Sequence, residues 1–172
     1  MPTNHTEVIR VAASIKAKAS TGIDGLSNKL VKLIIPVIAK PLTHIFNKSF
    51  VKGIFPDVYK IAKVIPIFKS GDKNHPINYR PISLLPTFSK ILEKLMHMRM
   101  ISFLVKHNII YPGQYGFLKG RSTEQAMLEI VYKITEAIEQ KKCTLGIFLD
   151  LSKALDTIDH TILLTETISL RL

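Results

Sequence analysis

Tryptophan is absent from this chain of 172 residues, and cysteine occurs once, at Cys143. One thiol can close no internal disulfide and build no cysteine-based metal cluster, so the fold must be held by other means. Acidic side chains are scarce as well: 13 Asp and Glu face 24 Lys and Arg, leaving a formal charge of +11. No uninterrupted apolar run approaches the roughly 18 residues of a bilayer-spanning helix. The stretch Leu33–Ala39 is short and contains Pro36. The opening MPTNHTEVIR lacks an apolar signal core. Secretion is therefore not indicated, and a reduced intracellular setting, cytoplasmic or nuclear and without a membrane, is the expectation. Internal repeats and low-complexity tracts are also missing. Hydrophobic residues are plentiful at 47%, enough for a packed core in one domain, or in one and a piece of another.

The positive charge is unevenly placed. Between Lys63 and Arg121 there are ten Lys and Arg against Asp72 and Glu93, a net of +8 that leaves +3 for the rest of the chain. Such a concentration points to a polyanionic partner, although solvated helix faces would give the same count.

Local signals divide the chain. The first 20 residues are helix-compatible and rich in Ala and Lys, with little to anchor them. TGIDGLSNKL reads as a turn with two glycines, followed by a helix from Ser27 that Pro36 should interrupt or kink. Pro41 suits the first turn of another helix, with Leu42, Ile45, Phe46, Ser49 and Phe50 on one face and Gly53 as its stop. KVIPIFK is β-branched and reads as a strand, with Pro66 at an edge or bulge. SGDKNHPINYRPISLL reads as a polar loop leading to a helix near Phe88, where Phe88, Ile91, Leu92, Leu95 and Arg99 keep helical spacing to about Val105. HNIIYPGQYGFLKG is a second loop, in which Gly113, Gly116 and Gly120 permit unusual backbone angles. Ser122 and Gln125 form a capping-box pair for a further helix whose buried stripe would be Met127, Ile130, Val131, Ile134 and Ile138. Lys141 and Lys142 suit its C-terminus. The run Cys143–Leu151 reads as a buried strand, and the mixed order of elements argues for an α+β fold.

Chemistry concentrates in FLDLSKALDTIDH, Phe148–His160. An acid at the end of a buried strand suits a hard cation such as Mg²⁺, which takes oxygen ligands and shares them with substrate phosphates. Asp150 supplies one carboxylate and the Leu151 carbonyl a neighbouring oxygen; the competing reading is an aspartate that simply points into solvent. Asp156 and Asp159 beside His160 suggest a metal triad only superficially, since either aspartate can cap a short helix. Lys69 and Arg80 lie in a flexible basic loop between strand and helix, where phosphate binding and surface salt bridging are both open. Tyr79 could stack on a base or pin the loop.

Taken in order, KVIPIFKSGDKNHPINYRPISLLPTFSKILEKLM, QYGFLKGRSTEQA and FLDLSKALDTIDH resemble the reverse transcriptase of non-long-terminal-repeat retrotransposons, the LINE or jockey type. TGIDGLSNKLVK resembles the block that precedes them, so the likeness runs from about Thr21 to Leu164. It implies a helix-rich right-hand polymerase: an N-terminal extension over 1–20, a fingers-like region over 21–144, and the start of the palm over 145–172, with a divergent tail over 165–172. It further implies Asp150 as the catalytic aspartate on two Mg²⁺ ions, with the Leu151 carbonyl beside it. The backbone from Ser152 through Lys153 and Ala154 to Leu155 would lie near the triphosphate. Lys69 and Arg80 would neutralise that triphosphate, and Gln114 and Gly116 would lie near the template–primer and the nucleotide. RNA template, DNA primer and deoxynucleoside triphosphates are the implied partners.

Three departures qualify this expectation. Leu155 stands where the family has Phe or Tyr, the aromatic that excludes a 2′-hydroxyl, so discrimination against ribonucleotides should weaken. The chain continues after HTILL as TETISLRL. Blocks resembling the family's PQG-like turn and paired aspartates do not occur. One anchoring aspartate would hold two ions poorly, so this chain alone is expected not to polymerise. A basic nucleic-acid-binding module without chemistry, or a non-functional product, are the alternative readings.

Overall fold

A computed structural model describes residues 2–151, 154 and 157–169. The chain divides into two compact units, one ending at Ile101 and the other beginning at Ser102. Helices α1 (His5–Ser14), α2 (Asn28–Lys52), the single turn α3 (Asp57–Lys60), strands β1 (Lys63–Phe68) and β2 (Tyr79–Leu84), and most of α4 (Thr87–Lys106) make the first unit. The second contains α5 (Thr123–Glu139) and α6 (His160–Ser169). A mixed architecture of helices and one small sheet is the α+β class that the sequence implied.

The core belongs to the first unit. Along α2, Val31, Ile35, Leu42 and Phe46 recur at helical spacing and meet Val8, Val11 and Ala12 of α1 and Ile91, Leu92 and Leu95 of α4. Phe88 and Phe50 pack against this cluster from its edge, whereas Ile45 is exposed. Burying side chains of this size is worth about 1.5–3 kcal/mol each. That explains the first correction: no separate helix begins at Pro41, because α2 runs on through Pro36 and Pro41 without interruption. A proline inside a helix costs about 3 kcal/mol. Here the stripe is buried on both sides of the prolines, so packing outweighs two lost backbone bonds. At 25 residues α2 is long and apolar enough to cross a bilayer by length and composition, which the proline-broken run had not suggested. Its termini follow the reading from sequence. Ser27 accepts the Leu30 N–H, and Gly53 ends the helix in the left-handed region at φ 62°.

The N-terminal segment, expected to lack an anchor, is tied down twice. Asn4 caps α1 by accepting the Glu7 N–H. The Asn47 amide brackets Thr3, accepting its N–H at 2.7 Å and donating to its carbonyl at 2.9 Å. Glu7 meets Arg99 of α4 at 3.0 Å and accepts the Thr3 hydroxyl at 2.6 Å. Arg99 also donates to the Leu95 carbonyl and lies over the Phe50 ring. A separate buried polar node joins the starts of α2 and α4, where the Thr87 hydroxyl reaches Asn28 Oδ1 at 2.8 Å and Asn28 Nδ2 donates to the Lys16 carbonyl.

The polar stretch before α4 is not all loop, because Tyr79–Leu84 forms β2, antiparallel to β1. Pro66 faces Pro81 across the pair. The Lys69 N–H donates to the Asn78 carbonyl at 2.8 Å, which marks Lys69–Asn78 as a hydrogen-bonded pair. Alternation then makes Pro66–Pro81 a non-bonded pair, so neither ring removes a rung. Both ring nitrogens face the outer edges, where an added strand would need an N–H.

Buried Gly22 anchors the base of this hairpin. A Cβ at Gly22 would lie 2.8 Å from the Pro86 nitrogen and 3.0 Å from the Leu85 carbonyl carbon, both backbone. The TGIDG turn thus packs directly on the link between β2 and α4, and the Thr21–Ser27 bridge closes it.

Among the described residues none after Leu95 is buried. Two expectations are corrected accordingly. α5 forms with its full Ser122–Gln125 capping box, but Met127, Ile130, Val131, Ile134 and Ile138 are all exposed. Local capping and propensity suffice to shape the helix, while its apolar stripe packs on nothing described. Cys143–Leu151 is not a strand: the described strands pair only with each other, leaving this run without a ladder. Leu145, Ile147, Phe148, Leu149 and Leu151 are exposed. Periodicity identified apolar residues here, but a strand also requires a partner for its backbone.

Gly22→Ala is expected to lower stability by about 1–3 kcal/mol, because backbone on the opposing side cannot yield; chemical denaturation measures it. The Glu7 carboxyl gives a second test. Partial burial raises its pKa, but the Thr3 and Arg99 hydrogen bonds with the Arg99 and Arg10 charges outweigh this and hold it below its ordinary 4.5. A depressed acid stabilises the fold above its unfolded pKa and loses that contribution as pH falls through the folded value. Unfolding titrations should therefore show stability lost below about pH 4.5, and Glu7→Gln should flatten that part of the profile.

Candidate functional site

The first candidate surface is the hairpin. Residues directly opposite in an antiparallel pair project to the same side, and neighbours along a strand alternate. With Ile67 opposite Arg80 and Ile65 opposite Ile82, one face carries Lys63, Ile65, Ile67, Arg80, Ile82 and Leu84. The Lys69–Asn78 rung extends that alternation by one pair, so Lys69 joins the same face as a diagonal neighbour of Arg80. Both cations are exposed. Two positive charges, one a compact ammonium and one a planar fork, therefore stand together on an open apolar floor, an arrangement suited to a phosphate chain.

The opposite face carries Phe68 and Tyr79, whose rings meet edge-on with centroids 5.5 Å apart. Tyr79 pins the loop, since its hydroxyl donates to the Lys73 carbonyl at 2.9 Å. Lys73 in turn lies 5.8 Å from the Phe68 ring centre.

A second candidate is the QYGF loop. The Gln114 N–H donates to the Tyr111 carbonyl, and its side-chain amide reaches the Gly116 carbonyl at 3.4 Å. The structure thus brings Gln114 and Gly116 together in one exposed turn. Gly116 is open, with no atom within 4 Å of where a Cβ would stand. Of the three glycines expected to use unusual angles, only Gly120 does, at φ 82°. Gly113 is small for a different reason: a Cβ there would lie 2.6 Å from the Tyr111 ring. Tyr115 carries the Arg121 guanidinium 5.1 Å above its ring.

The third candidate, Asp150 with Leu151, lies in the exposed run after α5. Ala154 is an exposed turn residue, whereas Ser152, Lys153, Leu155 and Asp156 lie outside the described residues. Asp159 does what the capping alternative required, accepting the Thr161 and Ile162 N–H groups at the start of α6. Among the described residues no three His, Cys, Asp or Glu side chains gather closely enough to hold a metal ion. Mg²⁺ can be held by one or two carboxylates with phosphates and water. Asp150 alone does not make a two-ion site, so the described residues do not fit that centre by themselves.

Comparison with known proteins identifies the family to which these blocks belong. Residues 68–172 match the model of a family described as reverse transcriptase (RNA-dependent DNA polymerase). The chain belongs to the reverse transcriptase family. Its curated relatives are those of non-long-terminal-repeat elements. It is 33% identical over 155 residues to the RNA-directed DNA polymerase from mobile element jockey of Drosophila melanogaster, covering 90% of this chain and 17% of that protein. The corresponding jockey polymerase of Drosophila funebris is 32% identical over 170 residues, covering 98% of this chain and 19% of that protein. A probable RNA-directed DNA polymerase from transposon BS of Drosophila melanogaster is 30% identical over 166 residues, or 96% and 18%. This reverse transcriptase chain thus spans less than a fifth of the length of these relatives.

Reading the sequence missed Asn78, Gly71 and β2. The signal for β2 was available, since a stretch of turn residues separates KVIPIF from a second run, YRPISL, with a similar mix of branched residues and a proline. One proline in each six-residue run disguises a hairpin unless the register that pairs Pro66 with Pro81 is known.

Proposed function

We propose that this chain supplies part of an RNA-directed DNA polymerase: the hairpin that receives the triphosphate of an incoming deoxynucleotide, and the aspartate that begins the catalytic block. The observation that carries this reading is the common face shared by Lys69 and Arg80, inside blocks matched to reverse transcriptases. In it, residues 21–144 act as fingers and the palm begins at residue 145. Lys69 and Arg80 take the phosphate charge, Gln114 and Gly116 lie beside the template–primer, and Asp150 and the Leu151 carbonyl offer oxygen ligands to Mg²⁺. The backbone from Ser152 to Leu155 follows the triphosphate, and Leu155 relaxes exclusion of the 2′-hydroxyl.

Nucleotidyl transfer itself is not a property of the isolated chain in this reading. A single carboxylate leaves the charge of an in-line displacement without its full anchorage. Primer extension on an RNA template with Mg²⁺ and the purified chain is expected to yield no product. Extension that Asp150→Ala abolishes would sink this proposal.

The excess of positive charge between Lys63 and Arg121 favours a second capacity, retention of nucleic acid without chemistry. Binding to single-stranded RNA is expected to weaken steeply with salt, because each phosphate contact releases counterions. Lys69→Glu with Arg80→Glu should weaken it further and Asp150→Ala should not. Affinity indifferent to salt would refute it.

A further inference from the structure

The loop from Lys69 to Asn78 joins β1 to β2, and its tip is exposed and polar. A loop of that length normally leaves its flanking side chains free to wander, because nothing apolar holds it. Here it is latched, and one residue takes part in three of the hydrogen bonds that latch it.

We propose that Asn78 is a positioning residue for the phosphate-binding face, holding the loop so that Lys69 stays in register with Arg80. This rests on the nucleotide-binding reading above. Asn78 engages the loop through its backbone N–H, its carbonyl and its side-chain Nδ2. Its backbone N–H donates to the His75 carbonyl at 3.1 Å, and its carbonyl accepts the Lys69 N–H at 2.8 Å. Its side-chain Nδ2 donates to the Asp72 carbonyl at 2.7 Å. The same amide fills the space beside Gly71, where a Cβ would lie 2.8 Å from Nδ2 and 3.0 Å from Cγ and Oδ1. Gly71 has φ 93°, a backbone angle that disfavours any side chain. Asp72 adds a turn of its own by accepting the Asn74 N–H at 2.9 Å. Asn78 and Tyr79 are half-buried, while 69–77 are exposed.

The chemistry selects an amide. The bond to the Asp72 carbonyl needs a donor, which neither a carboxylate nor a hydrocarbon supplies, and the gap beside Gly71 needs a short planar group. The consequence falls unequally on the two cations. Arg80 lies inside β2 with ladder partners on both sides of it. Lys69 lies one residue beyond β1, and the rung to Asn78 is what carries the alternation of faces out to it. Loosening the loop should therefore act on the triphosphate mainly through Lys69.

The test is binding of deoxythymidine triphosphate with Mg²⁺ to the whole chain, read by calorimetry. Lys69→Ala and Asn78→Ala are each expected to weaken binding about three- to tenfold, the range of one or two hydrogen bonds. Gly71→Ala, which displaces the Asn78 amide without removing it, should do the same. The melting transition should stay at the wild-type temperature in Lys69→Ala and Asn78→Ala, since no residue of the loop belongs to the buried core, whereas Gly71→Ala, strained at φ 93°, is expected to melt lower. The distinguishing readout is coupling: Asn78→Ala should add less than about twofold in a Lys69→Ala background, yet its full effect in an Arg80→Ala background. Wild-type affinity in Asn78→Ala, or a full additional loss in the Lys69→Ala background, overturns the inference while leaving the phosphate-site reading intact. Failure of the wild-type chain to bind, or indifference to Arg80→Ala, sinks that reading and this inference with it.

Discussion

Burial of a single stripe of α2 underlies everything else in the first unit. Val31, Ile35, Leu42 and Phe46 are the surface against which α1 and α4 close. Without that burial nothing offsets Pro36 and Pro41, and the helix would break where its sequence suggests. The polar contacts depend on it as well. Glu7 reaches Arg99 because α1 and α4 share the α2 stripe, and Asn28 reaches Thr87 because the start of α2 lies beside the start of α4. These bonds then set details that apolar packing leaves loose, since hydrogen bonds have direction and hydrophobic contacts do not.

The hairpin inherits its position from this core. A two-stranded ribbon is at best marginal alone in water. Its base is held where Gly22 touches the Leu85–Pro86 backbone, and its tip by Asn78, Asp72 and Tyr79. Between those two fixed ends, strand alternation is enough to put Lys69 and Arg80 on one face. The proposed phosphate site is thus held at its base and at its tip, while both strands between are largely exposed.

The second unit shows the opposite balance. Its helices are locally determined: Ser122 and Gln125 start α5, and Asp159 starts α6. Yet Leu145, Ile147, Phe148 and Leu149 are exposed beside Asp150, and the stripe of α5 is exposed too. A capping bond needs only residues three apart, so it forms wherever its sequence occurs. A strand needs a second strand, and a buried stripe needs another surface.

That distinction separates what the sequence determined from what tertiary structure decided. Composition and spacing alone were enough for a helix start at Ser27, a helix stop at Gly53, the strand at KVIPIF, α4 with its Ile91, Leu92 and Leu95 face, and the capping box of α5. The block order was enough for the family, because those blocks carry residue identities and not geometry. The continuity of α2 through its prolines, the anchoring of α1, the pairing of YRPISL and the absence of a strand at Cys143–Leu151 were decided by partners distant in sequence. So was the functional arrangement: Lys69 and Arg80 are eleven positions apart in the chain, and only the register of β1 on β2 makes them neighbours. Local signals are energies between residues a few positions apart, whereas register and burial are energies between segments, and a linear reading contains no distance between segments.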